Sequence, residues 1–182
     1  MSMGIQICGL NGSGKSTLGR ALAEAISFHF IDNEQLYFSR KDEKDVYTNA
    51  KSREDVERLL LEEVEAHSDF VFAAVKGDYG KEVVEKYRYV ILVEVPQEIR
   101  SQRVRNRSFQ KFGDRMLPGG DLYEQEEAFF RMAEARKEEY VEKWIRTLDC
   151  PVIRVDGTKS VQENVDFIMR EIGRIGFHSL RY

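Results

Sequence analysis

The chain has 182 residues, with 28 Lys+Arg against 32 Asp+Glu and a formal net charge of −4. Its length suits one domain spanning 1–182, and 42% hydrophobic with 11% aromatic residues is enough apolar material for a core, which excludes a wholly disordered chain. The acidic balance argues against a surface that wraps nucleic acid, and no run approaches the ~18 apolar residues of a membrane span.

The opening Met1-Ser2-Met3-Gly4 lacks the basic and small-residue pattern of a secretory leader, so the expected location is the cytoplasm. A first strand is predicted over Gly4–Cys8, a helix over Lys15–Ile26 and a short strand over Phe28–Ile31. Val56, Leu59, Leu60 and Val64 share one face of a helix predicted over Arg53–His67. The continuous apolar runs Phe70–Val75 and Tyr89–Val95 read as strands buried on both faces. A helix follows from about Gln97, then an irregular stretch around Gly113 and Pro118-Gly119-Gly120. One long helix is predicted over Asp121–Arg146, a fifth strand over Pro151–Val155 and a last helix over Ser160–Ile172. Strands alternating with helices imply an α/β fold with a parallel sheet covered on both faces.

Gly9-Leu10-Asn11-Gly12-Ser13-Gly14-Lys15-Ser16 fits the G-x-x-x-x-G-K-[ST] phosphate loop at every fixed position, between a strand and a helix. Glycines let the backbone curl its N–H groups inward at phosphate oxygens, and the helix start adds positive potential. Gly9, Asn11, Gly12, Ser13, Gly14 and Thr17 are therefore candidate phosphate-site residues, with Lys15 on the β and γ phosphates and the Ser16 hydroxyl on Mg²⁺.

Four further segments carry polar signals. The second strand ends Asp32-Asn33-Glu34, and the third is followed by Lys76-Gly77-Asp78-Tyr79 with no acid directly closing the apolar run. Between residues 100 and 115, Arg100, Arg103, Arg105, Arg107, Lys111 and Arg115 face one acid, Asp114, and Arg103 and Arg107 lie one helical turn apart. Arg136-Lys137-Glu138-Glu139-Tyr140 follows on the long helix, and Asp156-Gly157-Thr158-Lys159-Ser160 follows the fifth strand. Plainer readings stand beside each: solvated turns, a polar loop, a basic face paired with Asp121, Glu124, Glu126 and Glu127, a solvated arginine, and Ser160 capping the last helix.

With these motifs the chain resembles the small P-loop kinases, the group containing shikimate, gluconate and nucleoside monophosphate kinases. The resemblance implies a P-loop NTPase three-layer sandwich with a five-stranded sheet ordered 2-3-1-4-5 and a small lid at about residues 107–122. It further implies Mg²⁺-dependent transfer of the ATP γ-phosphoryl group to a small hydroxyl- or phosphate-bearing acceptor. Asp32 would serve as base or hold a metal-bound water, Glu34 would bind a second hydroxyl, and Lys76 or Asp78 would line the acceptor site. Arg103 and Arg107 would clamp the phosphates, Arg136 an anion of the acceptor, and Gly157 and Thr158 would meet the adenine. The Asp-Gly-Phe/Tyr-Pro-Arg motif usual in nucleoside monophosphate kinases is absent. A nucleoside or nucleotide acceptor, and an ATP-binding regulator without a small acceptor, remain as alternatives. Phosphorylation of nucleic-acid ends is disfavoured by the net charge.

His29, His67 and His178 stand apart in the sequence and suggest no metal site. Cys8 and Cys150 are too few for a disulfide framework and read as reduced thiols.

Overall fold

The computed structural model describes residues 3–38 and 50–179. Met1, Ser2 and the side chain of His178 lie outside the described residues. Five parallel strands form one sheet: β1 (Met3–Cys8), β2 (His29–Asp32), β3 (Asp69–Ala73), β4 (Tyr87–Glu94) and β5 (Val152–Asp156), in the order β2-β3-β1-β4-β5. β1 sits at the centre because nearly all of it is apolar and buried, with Ile5 opposite Val71 on one side and Tyr89 on the other.

Alternate residues of these strands feed two cores, as the two-residue period of a strand requires. On one face Ile5, Ile7, Val71, Ile91 and Val93 meet Leu18 and Leu22 of α1 (Lys15–Ile26) and Val165 and Ile168 of α8 (Val161–Ser179). On the other, Phe70, Phe72, Val90 and Leu92 meet Val56, Leu60 and Val64 of α3 (Arg53–Ala66) and Val141 and Trp144 of α7 (Glu139–Ile145). Each such side chain contributes roughly 1.5–3 kcal/mol on burial. This is the three-layer α/β sandwich expected from the sequence.

Local signals explain the helix starts. Ser52 accepts a hydrogen bond from the Asp55 amide and caps α3, whose first turn carries Glu54 and Asp55. Ser160 and Glu163 form a reciprocal capping box at α8, so the predicted cap is present.

Several boundaries depart from expectation. β2 starts at His29 and runs one residue beyond Ile31, β3 stops at Ala73 and β4 begins at Tyr87. The short helices α2 (Asn33–Tyr37) and α4 (Lys81–Val84) carry too few residues for a readable period. α5 runs Gln97–Phe112 and ends at Gly113, where φ of +56° favours glycine, before a 3-10 turn over Gly113–Met116.

The largest correction concerns the long helix over Asp121–Arg146. It is two helices, α6 (Tyr123–Ala135) and α7, broken where Arg136 turns extended at φ −71°, ψ 120°. No Gly or Pro marks the break; side chains on either side of it are held by other parts of the molecule, as described below. α5, the 3-10 turn and α6 share a small core of Val104, Met116 and Phe130, set beside the main sheet.

Candidate active site

The phosphate loop leaves β1 at Cys8 and returns as α1. The Ser13 amide donates to the Leu10 carbonyl at 3.1 Å, closing the turn. Gly14 occupies the N-cap of α1 at φ +88° and offers no side-chain acceptor, which leaves the first-turn amides open to an anion. Gly12, at φ +81°, lies against α5: a Cβ there would sit 2.4 Å from the Arg100 carbonyl oxygen. The loop is thus shaped by backbone packed on backbone.

Lys15 is half-buried in this cradle, and its pKa falls from the usual 10.5 to about 8. Burial is the largest cause, the nearby Arg107 guanidinium adds to it, and the charges of Asp32 and Glu34 oppose it. Arg136 also acts on it. Charged groups from α2, β2, α5 and the α6–α7 break therefore lie within electrostatic reach of Lys15 at the carboxyl ends of the strands, where open α/β sheets bind ligands. Asp32 accepts from the Glu34 amide through Oδ1 at 3.1 Å, capping α2 and leaving Oδ2 as the oxygen that could face a ligand. Ser16 lies half-buried in the first turn of α1. A hydroxyl and a carboxylate are oxygen donors of the kind Mg²⁺ takes, so Ser16 and Asp32 fit that ion in kind.

The basic run divides in two. Arg103 reaches across the loop, donating to the Gly157 carbonyl at 3.1 Å and the Gly12 carbonyl at 3.5 Å, while Arg107, one turn on, acts on Lys15. Arg105 points the other way, to Glu127 at 2.9 Å and Glu134 at 3.7 Å, and covers the Phe130 ring. Arg115 pairs with Asp121. The face turned to the P-loop and the face turned to α6 thus belong to different arginines of one run.

After β5, Gly157 lies against Val93, Val95 and the Ser13 carbonyl, and its amide donates to Glu94. Thr158 donates from its amide and hydroxyl to Asp156 Oδ1 at 2.9 and 2.6 Å, fixing the turn. These residues flank the loop beneath Arg103.

On the opposite flank Arg136 donates to Asn11 Oδ1 at 3.1 Å and lies 5.5 Å from the centre of the Tyr140 ring. Lys76 covers the same ring at 4.1 Å and pairs with Asp78 at 3.0 Å, and Asp78 is held in turn by Arg53 of α3. A cavity of about 610 Å³ opens here, lined by Lys76, Arg136, Lys137, Lys143, Tyr140 and Trp144, with Glu139 as the acid on its wall. Glu34 is exposed in the first turn of α2. The loop residue Asn11 thus joins the P-loop to this cavity.

Two contributors escaped the sequence reading. Arg100, only 4% exposed, shapes the P-loop through its carbonyl, holds the Val95 carbonyl at 2.9 Å and reaches Glu138 at 3.4 Å. Together with the Arg136–Asn11 bond this explains the helix break: both residues beside Lys137 are drawn toward the loop. Its signal was its place in the basic run, which did not separate it from its neighbours. Secondly, His29 and His67 are not apart: their rings stack at 3.6 Å. Cys8 is buried and its thiol is pushed up to about 12 by burial, consistent with an inert core thiol.

A sequence profile described as an AAA domain matches residues 5–140. The chain belongs to this AAA domain family. It is 29% identical over 177 residues to the uncharacterized protein YqaC of Bacillus subtilis (strain 168), covering 93% of this chain and 97% of that one. Among solved structures it resembles a gluconokinase from Sinorhizobium meliloti 1021 at 16% identity and TM-score 0.61, covering 100% and 98% of the two chains. A deoxyadenosine kinase from M. mycoides with bound dATP gives 17%, TM-score 0.58 and coverage of 95% and 100%. Shikimate kinase from Aquifex aeolicus gives 17%, 0.55 and coverage of 96% and 99%. The fold is that of the P-loop small-molecule kinases. Among the described residues no helix is long and apolar enough to cross a membrane.

Proposed function

We propose that this protein is an ATP-dependent phosphotransferase that moves the γ-phosphoryl group of Mg-ATP to a small acceptor bearing a hydroxyl or phosphate, in the manner of shikimate and gluconate kinases. The observation that carries this reading is the Arg136–Asn11 hydrogen bond, which joins the P-loop to a cavity lined by Arg136, Lys76 and Tyr140. A loop that only bound nucleotide would not need a basic cavity joined to it.

In this reading the open amides of α1 and Lys15 bind the β and γ phosphates, and Arg107 neutralises charge that shifts during transfer. Arg103 and the Gly157–Thr158 turn enclose the base side of the nucleotide. Ser16 and, through water, Asp32 would hold Mg²⁺, which would supply charge neutralisation at the phosphates. Asp32 accepts the proton of the acceptor hydroxyl, and Glu34 binds a second hydroxyl. Arg136 and Lys76, both against the Tyr140 ring, grip an anionic group of the acceptor in the neighbouring cavity. The 3-10 turn and adjoining segments, about residues 107–122, act as the lid over this site.

Coupled ADP release with Mg-ATP across hydroxy acids, sugars, nucleosides and nucleoside monophosphates tests the proposal, with Lys15→Ala alongside. One acceptor should raise ADP release far above background only with Lys15 intact. A nucleoside or nucleoside monophosphate as that acceptor would move the protein to the nucleoside kinase reading. A flat panel with saturable ATP binding would overturn catalysis in favour of a regulator, and no ATP binding would overturn both.

A further inference from the structure

At the opposite end of β2 from Asp32, three donor residues meet. His29 Nε2 and Glu63 Oε2 are 2.8 Å apart, and His67 stacks on His29 with ring centroids 3.6 Å apart and planes 15° from parallel. Glu63 lies in the last turn of α3 and His67 is the extended residue that caps it, its amide donating to the Glu63 carbonyl at 3.0 Å, so both sit at the end of α3 beside the edge strand. One donor atom from each residue lies within 4.8 Å of the others, His29 and Glu63 are half-buried, and His67 is exposed. None of these residues enters the phosphate-transfer site.

We infer that His29, Glu63 and His67 form a binding site for one first-row transition-metal ion of the zinc class, clamping β2 to α3. Two imidazoles and a carboxylate match the three-protein-ligand sets that hold Zn²⁺ with water in the remaining position. The same set disfavours Mg²⁺ and Ca²⁺, which take oxygen donors. Bonds of ~2.0–2.2 Å to nitrogen and oxygen place donors about 3.3 Å apart around a tetrahedral ion. The His29–Glu63 pair is already closer than this, and the exposed His67 has only to swing in. The hydrogen bond and the stack already gather the three side chains at the start of β2, and rotation of the His67 ring out of the stack turns its nitrogen toward the His29–Glu63 pair. Because β2 has only the four residues His29–Asp32, an ion at its first residue would also brace the strand that presents Asp32.

The full chain, stripped with a chelator and kept in excess Mg²⁺, would be titrated with Co²⁺ by visible absorption, and the bound Co²⁺ then displaced with Zn²⁺. One saturable ion per chain is expected, without a thiolate charge-transfer band. Glu63→Gln and His67→Ala, both at accessible positions, should each weaken binding by about tenfold or more while their thermal melts stay cooperative. Absence of saturable binding would overturn the site. So would unchanged affinity in both variants, or a thiolate band, which would place the ion on Cys8 or Cys150.

Discussion

The two flanks of the phosphate loop are built differently. On the flank we propose for the nucleotide, backbone meets backbone: Gly12 lies against the Arg100 carbonyl, Gly157 against the Ser13 carbonyl, and Arg103 ties Gly12 to Gly157. On the flank we propose for the acceptor, side chains meet side chains: Arg136 on Asn11, Lys76 on Asp78 and Tyr140, Asp78 on Arg53. Backbone packing leaves few permitted residues, so the first flank is fixed by glycines. A lattice of charged side chains can be rebuilt from many residue sets, so the second is free to change with the acceptor.

Substitutions should separate the two flanks. The largest effect is expected from Lys15→Ala, which removes the central cation and should lower turnover by about 10²–10³-fold while the melt stays cooperative; steady-state kinetics and calorimetry check this. Arg136→Ala should raise the acceptor KM by about 10–100-fold, as expected for a charged hydrogen bond worth ~1.5–3 kcal/mol, with ATP affinity nearly unchanged. If ATP affinity fell equally, the division between flanks would be wrong. Gly12→Ala should do the reverse. Its Cβ must push α5 away, costing ~1–3 kcal/mol of stability and weakening ATP binding, as measured by denaturant unfolding and nucleotide titration.

The pH dependence sharpens the same contrast. With a pKa of about 8, the Lys15 ammonium is lost earlier than that of an ordinary lysine. ATP affinity should therefore fall as pH rises through 8, by at most about tenfold per unit. The unfolded chain keeps that proton up to about 10.5, so between these values it binds more protons than the native state. This group then makes the nucleotide-free fold more stable, not less, as pH rises. Titrating ATP binding and thermal stability together would show the opposite slopes. The smallest effect is expected from Lys76→Met. Its partly buried pair with Asp78 still reaches solvent and is worth ~1 kcal/mol, so acceptor KM should rise by less than about fivefold.

This contrast also explains what the sequence makes legible. The P-loop is readable because a loop curled around phosphates needs glycines at fixed spacing between a strand and a helix, and strand order follows from the fold this motif belongs to. Arg103 and Arg107 are readable as a shared helix face, but the opposite orientation of Arg105 depends on α6. The break at Arg136 is invisible locally, because Arg136, Lys137 and Glu138 are all good helix formers. It arises from partners 125 and 38 residues away, Asn11 and Arg100. The His29–His67 stack is invisible for the same reason, since only the packing of α3 on the sheet edge brings the two together.

The most direct test is to follow the label of γ-phosphate-labelled Mg-ATP in a single turnover with a small-molecule extract, separating nucleotides, inorganic phosphate and other products. The account predicts label on one new small molecule, formed by the wild type and not by Lys15→Ala. Label that stays on ATP, or leaves only as inorganic phosphate while ATP is demonstrably bound, would contradict it.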